Sequence, residues 1–298
     1  MEKKMKTIEV LIINAFVDGD EGGNPAGVVL DAERFTQDEK LQIAAQVGVS
    51  ETAFVSPSES ADFKLEFFTP TKQIADCGHA TVATFSYLAQ QQIVTKQHSS
   101  KETIDGRREI YLKDNLVFME QTAPKYKSLV ATDVSLGDIL SSLGINEDDL
   151  SKDAEPLIVN TGVNFLVIGL KGGNELQKIE PNFEAIEKIS QELDLVGYYV
   201  FSPHTHNTGR DAGARMFAPF YGIKEEAATG MGAGTLAAYL FDHFGLKKEK
   251  LVIEQGYYMN PPSPSEIRAE IETENGAIKS LRVGGRAKVS SRMQINLS

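Results

Sequence analysis

Cys77-Gly78-His79-Ala80-Thr81-Val82-Ala83-Thr84-Phe85-Ser86-Tyr87-Leu88 is a run of small and apolar residues opened by a glycine, and it has a counterpart. Gly230-Met231-Gly232 begins a second run of the same character that also ends in Tyr-Leu, at Tyr239-Leu240. Each has few breakers and reads as a small-residue helix. Two further echoes keep the same order: Phe54-Val55-Ser56-Pro57 with Val200-Phe201-Ser202-Pro203, and Phe68-Thr69-Pro70 with Phe217-Ala218-Pro219. The offsets are 146, 149 and 152 residues in a chain of 298, and they drift as small insertions make them drift. One echo is within reach of chance; three in order argue for an internal duplication and a pseudo-twofold pair of domains. The join falls near Pro124 to Asp133, which gives an N-terminal half 1–127 and a C-terminal half 128–298, and the sequence leaves open whether the tail from about Val283 packs on the first half.

Outward from the first run, the pattern is a mixture of strands and helices. Val10 to Phe16 is an apolar strand, and Gly23-Asn24-Pro25 closes a turn before a second short strand, Ala26 to Leu30. Thr36 and Glu39 form a T-x-x-E capping box ahead of Leu41, Ile43, Ala44 and Val47, and Gly48 stops that helix. Thr52 to Val55 and Phe63 to Phe68 follow as strands. In the second half Ser135 and Asp138 cap a short helix, and Asn182 caps Phe183 to Leu193.

Composition sets limits on function. The net charge of −12 repels phosphate backbones and anionic membranes, so neither nucleic acid nor membrane is an expected partner. No apolar run approaches the roughly 18 residues of a membrane span, and Met1 to Lys6 leads straight into strand-like sequence without a signal-peptide pattern. The expected location is cytoplasmic. Cys77 is the single cysteine, which excludes a disulfide within the chain, a thiolate-built metal site and dithiol redox chemistry.

The duplication places the two glycine-opened helix starts, at Gly78 and Gly230, facing a crevice between the halves. First-turn N–H groups lack helical partners and carry partial positive charge, which suits a carboxylate or a developing enolate oxygen. The glycines of Gly230-Met231-Gly232-Ala233-Gly234 are not a dinucleotide fingerprint, since the spacing lacks the third glycine of G-x-G-x-x-G. Groups able to hold a proton near these starts are Glu51, Cys77, His79, Glu225 and Glu226. Glu51 opens an otherwise apolar strand, as a solvated strand start or as a partly desolvated base, and periodicity alone favours neither. A histidine at the position of His79 is, taken alone, more often a packing residue. Cys77 reads as a small buried residue rather than a catalyst.

Asn14-Ala15-Phe16, Gly23-Asn24-Pro25-Ala26-Gly27, Ser50-Glu51-Thr52-Ala53-Phe54-Val55, Phe68-Thr69-Pro70 and Cys77-Gly78-His79-Ala80-Thr81 together resemble the signature of the PhzF-like phenazine-biosynthesis family. Phe217-Ala218-Pro219, Gly222-Ile223, Ala228-Thr229-Gly230, Glu254-Gln255-Gly256 and Val283-Gly284-Gly285 continue the likeness over nearly the whole chain. The resemblance implies an α+β fold of two pseudo-symmetric diaminopimelate epimerase-like domains, each a barrel-like sheet around a central helix. It implies a cofactor-independent, metal-free isomerase that moves a proton on a small carboxylic acid in the crevice, working as a homodimer. It assigns catalysis to Glu51, His79 and Glu226, and substrate binding to Asn24, Ser50, Cys77, Gly78, Thr229, Gly230 and Met231. Where the family's phenazine enzyme has Asp-Pro-Ala-Thr-Gly-Ser, this chain has Glu226-Ala227-Ala228-Thr229-Gly230-Met231, with a longer carboxylate and no serine hydroxyl. That departure motivates an alternative, a catalytically silent small-molecule binder of the same fold. The epimerases of this fold use two facing thiols; here Thr229 stands opposite Cys77 across the duplication, which excludes two-thiol racemisation. In Pro203-His204-Thr205-His206 the alternate histidines suggest metal-assisted hydrolysis, but no carboxylate or thiol lies nearby in sequence to complete the set, and a flexible polar loop is the expectation.

Overall fold

The computed structural model describes residues 6–297. Its contacts divide the chain into two units, Met1–Glu120 with Gly284–Ser298, and Gln121–Val283.

In the first unit Ala287–Leu297 runs antiparallel to Lys6–Ala15, with a register shift between Ile12 and Ile13, and Lys6–Ala15 runs antiparallel to Asn24–Val29. Asn24–Val29 lies parallel to Thr52–Ser56, and the helix Gln37–Val47 makes that crossover. Thr52–Ser56 pairs antiparallel with Phe63–Phe68, which lies parallel to His98–Thr103 across the helix Gly78–Gln90. Gly106–Lys113 follows, antiparallel.

The second unit repeats this order of pairings. Lys125–Ser128, Leu157–Asn160 and Asn164–Gly169 are antiparallel neighbours. Asn164–Gly169 is parallel to Gly197–Ser202 across the helix Phe183–Glu192. Gly197–Ser202 is antiparallel to Ala212–Phe217, which is parallel to Lys250–Gln255 across the helix Gly230–Asp242, and Ser265–Glu274 follows antiparallel. The duplication read from the echoes is therefore visible as one topology written twice. The origin of the first strand differs: the second unit takes it from its own N-terminal end, the first from Ala287–Leu297.

Each sheet wraps its central helix. Gly78–Gln90 packs on Lys6–Ala15, Asn24–Val29, Thr52–Ser56 and Ala287–Leu297, and every residue from His79 to Leu88 is buried. Gly230–Asp242 packs on Leu157–Asn160, Asn164–Gly169, Gly197–Ser202 and Ser265–Glu274. Both faces of the strands are covered, which explains near-continuous apolar runs such as Val10 to Ile13. Val10 and Ile12 join Ile43, Ala44 and Val47 of the outer helix in one cluster, while Leu11 and Ile13 point the opposite way by the two-residue alternation of a strand. A fully buried side chain of this size contributes roughly 1.5–3 kcal/mol. The architecture is the expected α+β one. Among the described residues no helix is long and apolar enough to cross a membrane.

Local signals act as the sequence indicates. Thr36 Oγ1 accepts from the Glu39 N–H at 3.2 Å while Glu39 Oε2 accepts from the Thr36 N–H at 2.9 Å, and Gly48 ends the helix at φ 73°. Ser135 and Asn182 cap their helices at Asp138 and Ala185. Under the first outer helix a buried ion pair, Lys40 with Glu66, is reinforced by Gln37 Nε2 donating to Glu66 Oε1 at 2.6 Å.

Candidate active site

Glu51 precedes the strand Thr52–Ser56, and its position is fixed by backbone: the Gly27 N–H donates to Glu51 O at 2.9 Å. A Cβ on Gly27 would sit 2.6 Å from Thr52 Oγ1, so glycine is what lets the two strands approach at this point. Of the two readings left open by the sequence, the solvated strand start falls away. Glu51 is 8% exposed, and its Oε2 is buried without a hydrogen-bond partner. Burying a carboxylate oxygen unmatched is costly, which marks the position as one where stability yields to another requirement. Ser50, its neighbour, is exposed.

The start of the helix Gly78–Gln90 brings the remaining first-half groups together. Cys77 is the N-cap, in extended conformation, and its N–H donates to Asp76 Oδ1 at 2.7 Å. Thr81 Oγ1 donates to Cys77 O at 2.7 Å, and the buried Lys101 ammonium donates to Thr81 Oγ1 at 2.8 Å while pairing with Asp76. Burial pulls Lys101 below the usual lysine range, opposed by the charges of Asp76 and Cys77. Cys77 Sγ lies 3.5 Å from His79 Nδ1, and His79 Nε2 lies 3.3 Å from Glu51 Oε2. A thiol, an imidazole and a carboxylate thus stand in line, all three buried, with one donor atom from each within 4.8 Å of the others. Gly78 opens the helix beside them, and its first-turn N–H groups have no helical acceptor. Asn24 is buried at the start of its strand, opposite Ala15.

In the second unit Glu226, Thr229, Gly230 and Met231 form one turn. Thr229 Oγ1 donates to Glu226 Oε2 at 2.6 Å. The organiser is Gln255, fully buried: its Nε2 donates to Glu226 O at 2.7 Å and to Thr229 Oγ1 at 3.2 Å, and its Oε1 accepts from the Thr229 N–H at 3.2 Å and from Tyr199 OH at 2.8 Å. Burial pushes the Tyr199 phenol well above its ordinary range, and the charge of Glu226 pushes the same way, so Tyr199 stays a donor. Gln121 Nε2 donates to Gly230 O at 3.0 Å. Met231, partly buried, turns its thioether toward Gly162. A Cβ on Gly232 would lie 2.3 Å from the Tyr199 ring. Gly232→Ala therefore displaces Tyr199 from Gln255, at an expected cost of about 1–3 kcal/mol, measured as a shift in urea unfolding.

Other candidates are committed elsewhere. Glu225 accepts from two of the three nitrogens of Arg215, Nε at 2.8 Å and Nη2 at 2.9 Å, while Arg215 Nη1 donates to Leu176 O and Ile179 O. This buried arginine acts as an internal clamp. In the His204–His206 segment the N–H group of His206 and that of the following Asn207 donate to the buried Glu254 carboxylate, His206 Nδ1 lies 3.2 Å from Glu254 Oε1, and the imidazole stacks on Tyr257 at 4.3 Å. Among the described residues the cluster able to hold a metal is Glu51 with Cys77 and His79, a mixed donor set that counting cysteines does not reveal. Glu254 and Gln255 stand in a motif quoted from the sequence without a role, and Lys101 was not singled out, because a polar residue in a strand carries no local sign of the partner it meets across the fold.

With this geometry in hand, comparison with known proteins is direct. The phenazine biosynthesis-like protein family, PhzC-PhzF, matches residues 13–292. The chain belongs to this family. The likeness drawn from the motifs holds over the full length of the PhzC-PhzF match. An isomerase of Bacillus subtilis, YfhB, otherwise uncharacterised, is 31% identical over 92% of this chain and 94% of its own. The trans-2,3-dihydro-3-hydroxyanthranilate isomerase of Pseudomonas chlororaphis is 29% identical over 87% and 90%. Among solved structures, a Bacillus anthracis phenazine biosynthesis protein of the PhzF family superposes with a TM-score of 0.88 at 26% identity, covering 97% of this chain and 99% of that one. A hydroxyproline epimerase from Agrobacterium vitis shares the fold alone, with a TM-score of 0.61 at 12% identity. This PhzC-PhzF member is an isomerase, and its substrate is a small molecule.

Proposed function

We propose that this isomerase shifts a proton between two carbons of a small conjugated carboxylic acid by general acid–base catalysis, with Glu51 as the proton carrier. The observation that carries the reading is the buried, unmatched Glu51 Oε2 set 3.3 Å from His79 Nε2 beside a helix start. In the first step Glu51 takes a proton from carbon, and the electron pair left behind spreads into the conjugated carboxylate. First-turn N–H groups at Gly78 suit the charge that accumulates there. In the second step the Glu51 carboxyl returns the proton to another carbon of the same system, so no electron is gained or lost. His79 holds the carboxylate in orientation. The Pseudomonas chlororaphis relative supports a cyclic hydroxy- or amino-substituted acid as the substrate class.

The test is solvent-deuterium incorporation into a panel of small conjugated acids, followed by proton NMR. Exchange at one carbon above the buffer rate is the expected result. Binding without exchange across the panel, seen as ligand line broadening alone, would sink the reading and favour the silent binder suggested by Glu226 and Met231.

A further inference from the structure

We propose that Glu51, His79 and Cys77 bind a thiophilic divalent cation of the Zn2+ class. The cation's consequence, reversible inhibition, rests on the proton-carrier reading of Glu51; its binding does not.

The donors are one sulfur, one imidazole nitrogen and one carboxylate oxygen, the three ligand types that Zn2+ accepts. Tetrahedral zinc, with bonds of about 2.0–2.3 Å, spaces its ligand atoms by roughly 3.3–3.7 Å. Glu51 Oε2 already stands 3.3 Å from His79 Nε2, and the spread of all three donors is within 4.8 Å, a gap that side-chain rotation closes. The second observation pointing to a ligand is Glu51 itself: its side chain is 10% exposed, and the buried Oε2 that faces the cluster lacks a hydrogen bond. A cation supplies the missing partner. Binding requires the thiolate, so one proton leaves Cys77 Sγ as the S–metal bond forms. Three protein ligands leave a fourth position for water, and a soft sulfur with one imidazole selects against Mg2+ and Ca2+, which take oxygen ligands. With the cation in place, Oε2 no longer carries protons.

The experiment titrates the chelator-washed full chain with ZnCl2 against a chromophoric chelator, and with CoCl2 while recording absorption. One Zn2+ per chain is expected, unaffected by millimolar Mg2+, together with a thiolate-to-cobalt charge-transfer band in the near ultraviolet. Cys77→Ser should abolish the band, and Cys77→Ser and Glu51→Gln should each weaken Zn2+ binding by at least about tenfold, the loss that follows even from removing a group that only orients a ligand. Circular dichroism of both variants checks folding. Unchanged Zn2+ affinity in folded variants, or a missing cobalt band in the wild-type protein, would overturn the site. Zinc binding with no exchange in any acid would defeat the isomerase mechanism alone, and exchange with no zinc binding would defeat this inference alone.

Discussion

Glu51→Gln lowers the rate of proton exchange by about 10²–10⁴-fold, the range that a positioned general base contributes, while leaving the fold intact. Glutamine keeps the volume and one oxygen of the side chain but cannot accept and return a proton. The backbone contact from Gly27 to Glu51 O is untouched, so the strand start stays in register. Substrate affinity should hold or rise, because the carboxylates of substrate and Glu51 repel one another and the amide removes that repulsion. Steady-state and exchange kinetics at pH 7, with circular dichroism as the folding control, make the comparison. A variant retaining more than a tenth of the wild-type rate would assign the proton to another group. His79→Gln should cost less, since it leaves the carrier in place and removes only its orientation.

Lys40→Met destabilises the protein by about 3–5 kcal/mol, the usual consequence of stranding one member of a buried ion pair. Lys40 and Glu66 are 5% and 7% exposed in their side chains, and the pair sits under the helix Gln37–Val47. Burial pushes the Glu66 carboxyl up, but hydrogen bonds from Lys40 and Gln37 together with the Lys40 charge outweigh it, and the net shift is downward. A carboxyl whose folded pKa is depressed stabilises the fold above its unfolded pKa, about 4.3, and that contribution is lost as pH falls through the lower folded value. Urea unfolding between pH 3 and 6 should therefore show wild-type stability falling at the acid end, with a flatter profile in Glu66→Gln. The double variant Lys40→Met/Glu66→Leu should recover most of the loss, because no charge is left buried. If Lys40→Met unfolds at the same urea concentration as wild type, the pair contributes nothing.

What the sequence disclosed and what it hid follow one physical division. Thr36 with Glu39, Ser135, Asn182 and the two glycine-opened helices are local devices acting within four residues, and each is found where the pattern puts it. The tandem topology was legible because a repeated fold leaves repeated punctuation, as at Phe68-Thr69-Pro70 and Phe217-Ala218-Pro219. The polar strand His98–Thr103 was not legible, because His-Ser-Ser-Lys-Glu-Thr lacks apolar alternation, and its buried Lys101 is sustained by Asp76 and Thr81. At the candidate site Glu51 was nameable while its environment was not. That it is buried, and that it meets His79, depends on the approach of Asn24–Val29 to Thr52–Ser56, which no stretch of sequence expresses by itself. Arg215 shows the same limit: its pairing with Glu225 and its bonds to Leu176 O and Ile179 O are made across the fold.

The strand Ala287–Leu297, which flanks Lys6–Ala15, is translated long after it. A nascent chain on the ribosome can zip up the second unit from contiguous sequence, but its opening strand waits, one edge bare, through some 270 residues of synthesis. A late strand thus latches an early one, and any chain stalled short of residue 287 presents an open, apolar strand edge to chaperones and to other unfinished copies.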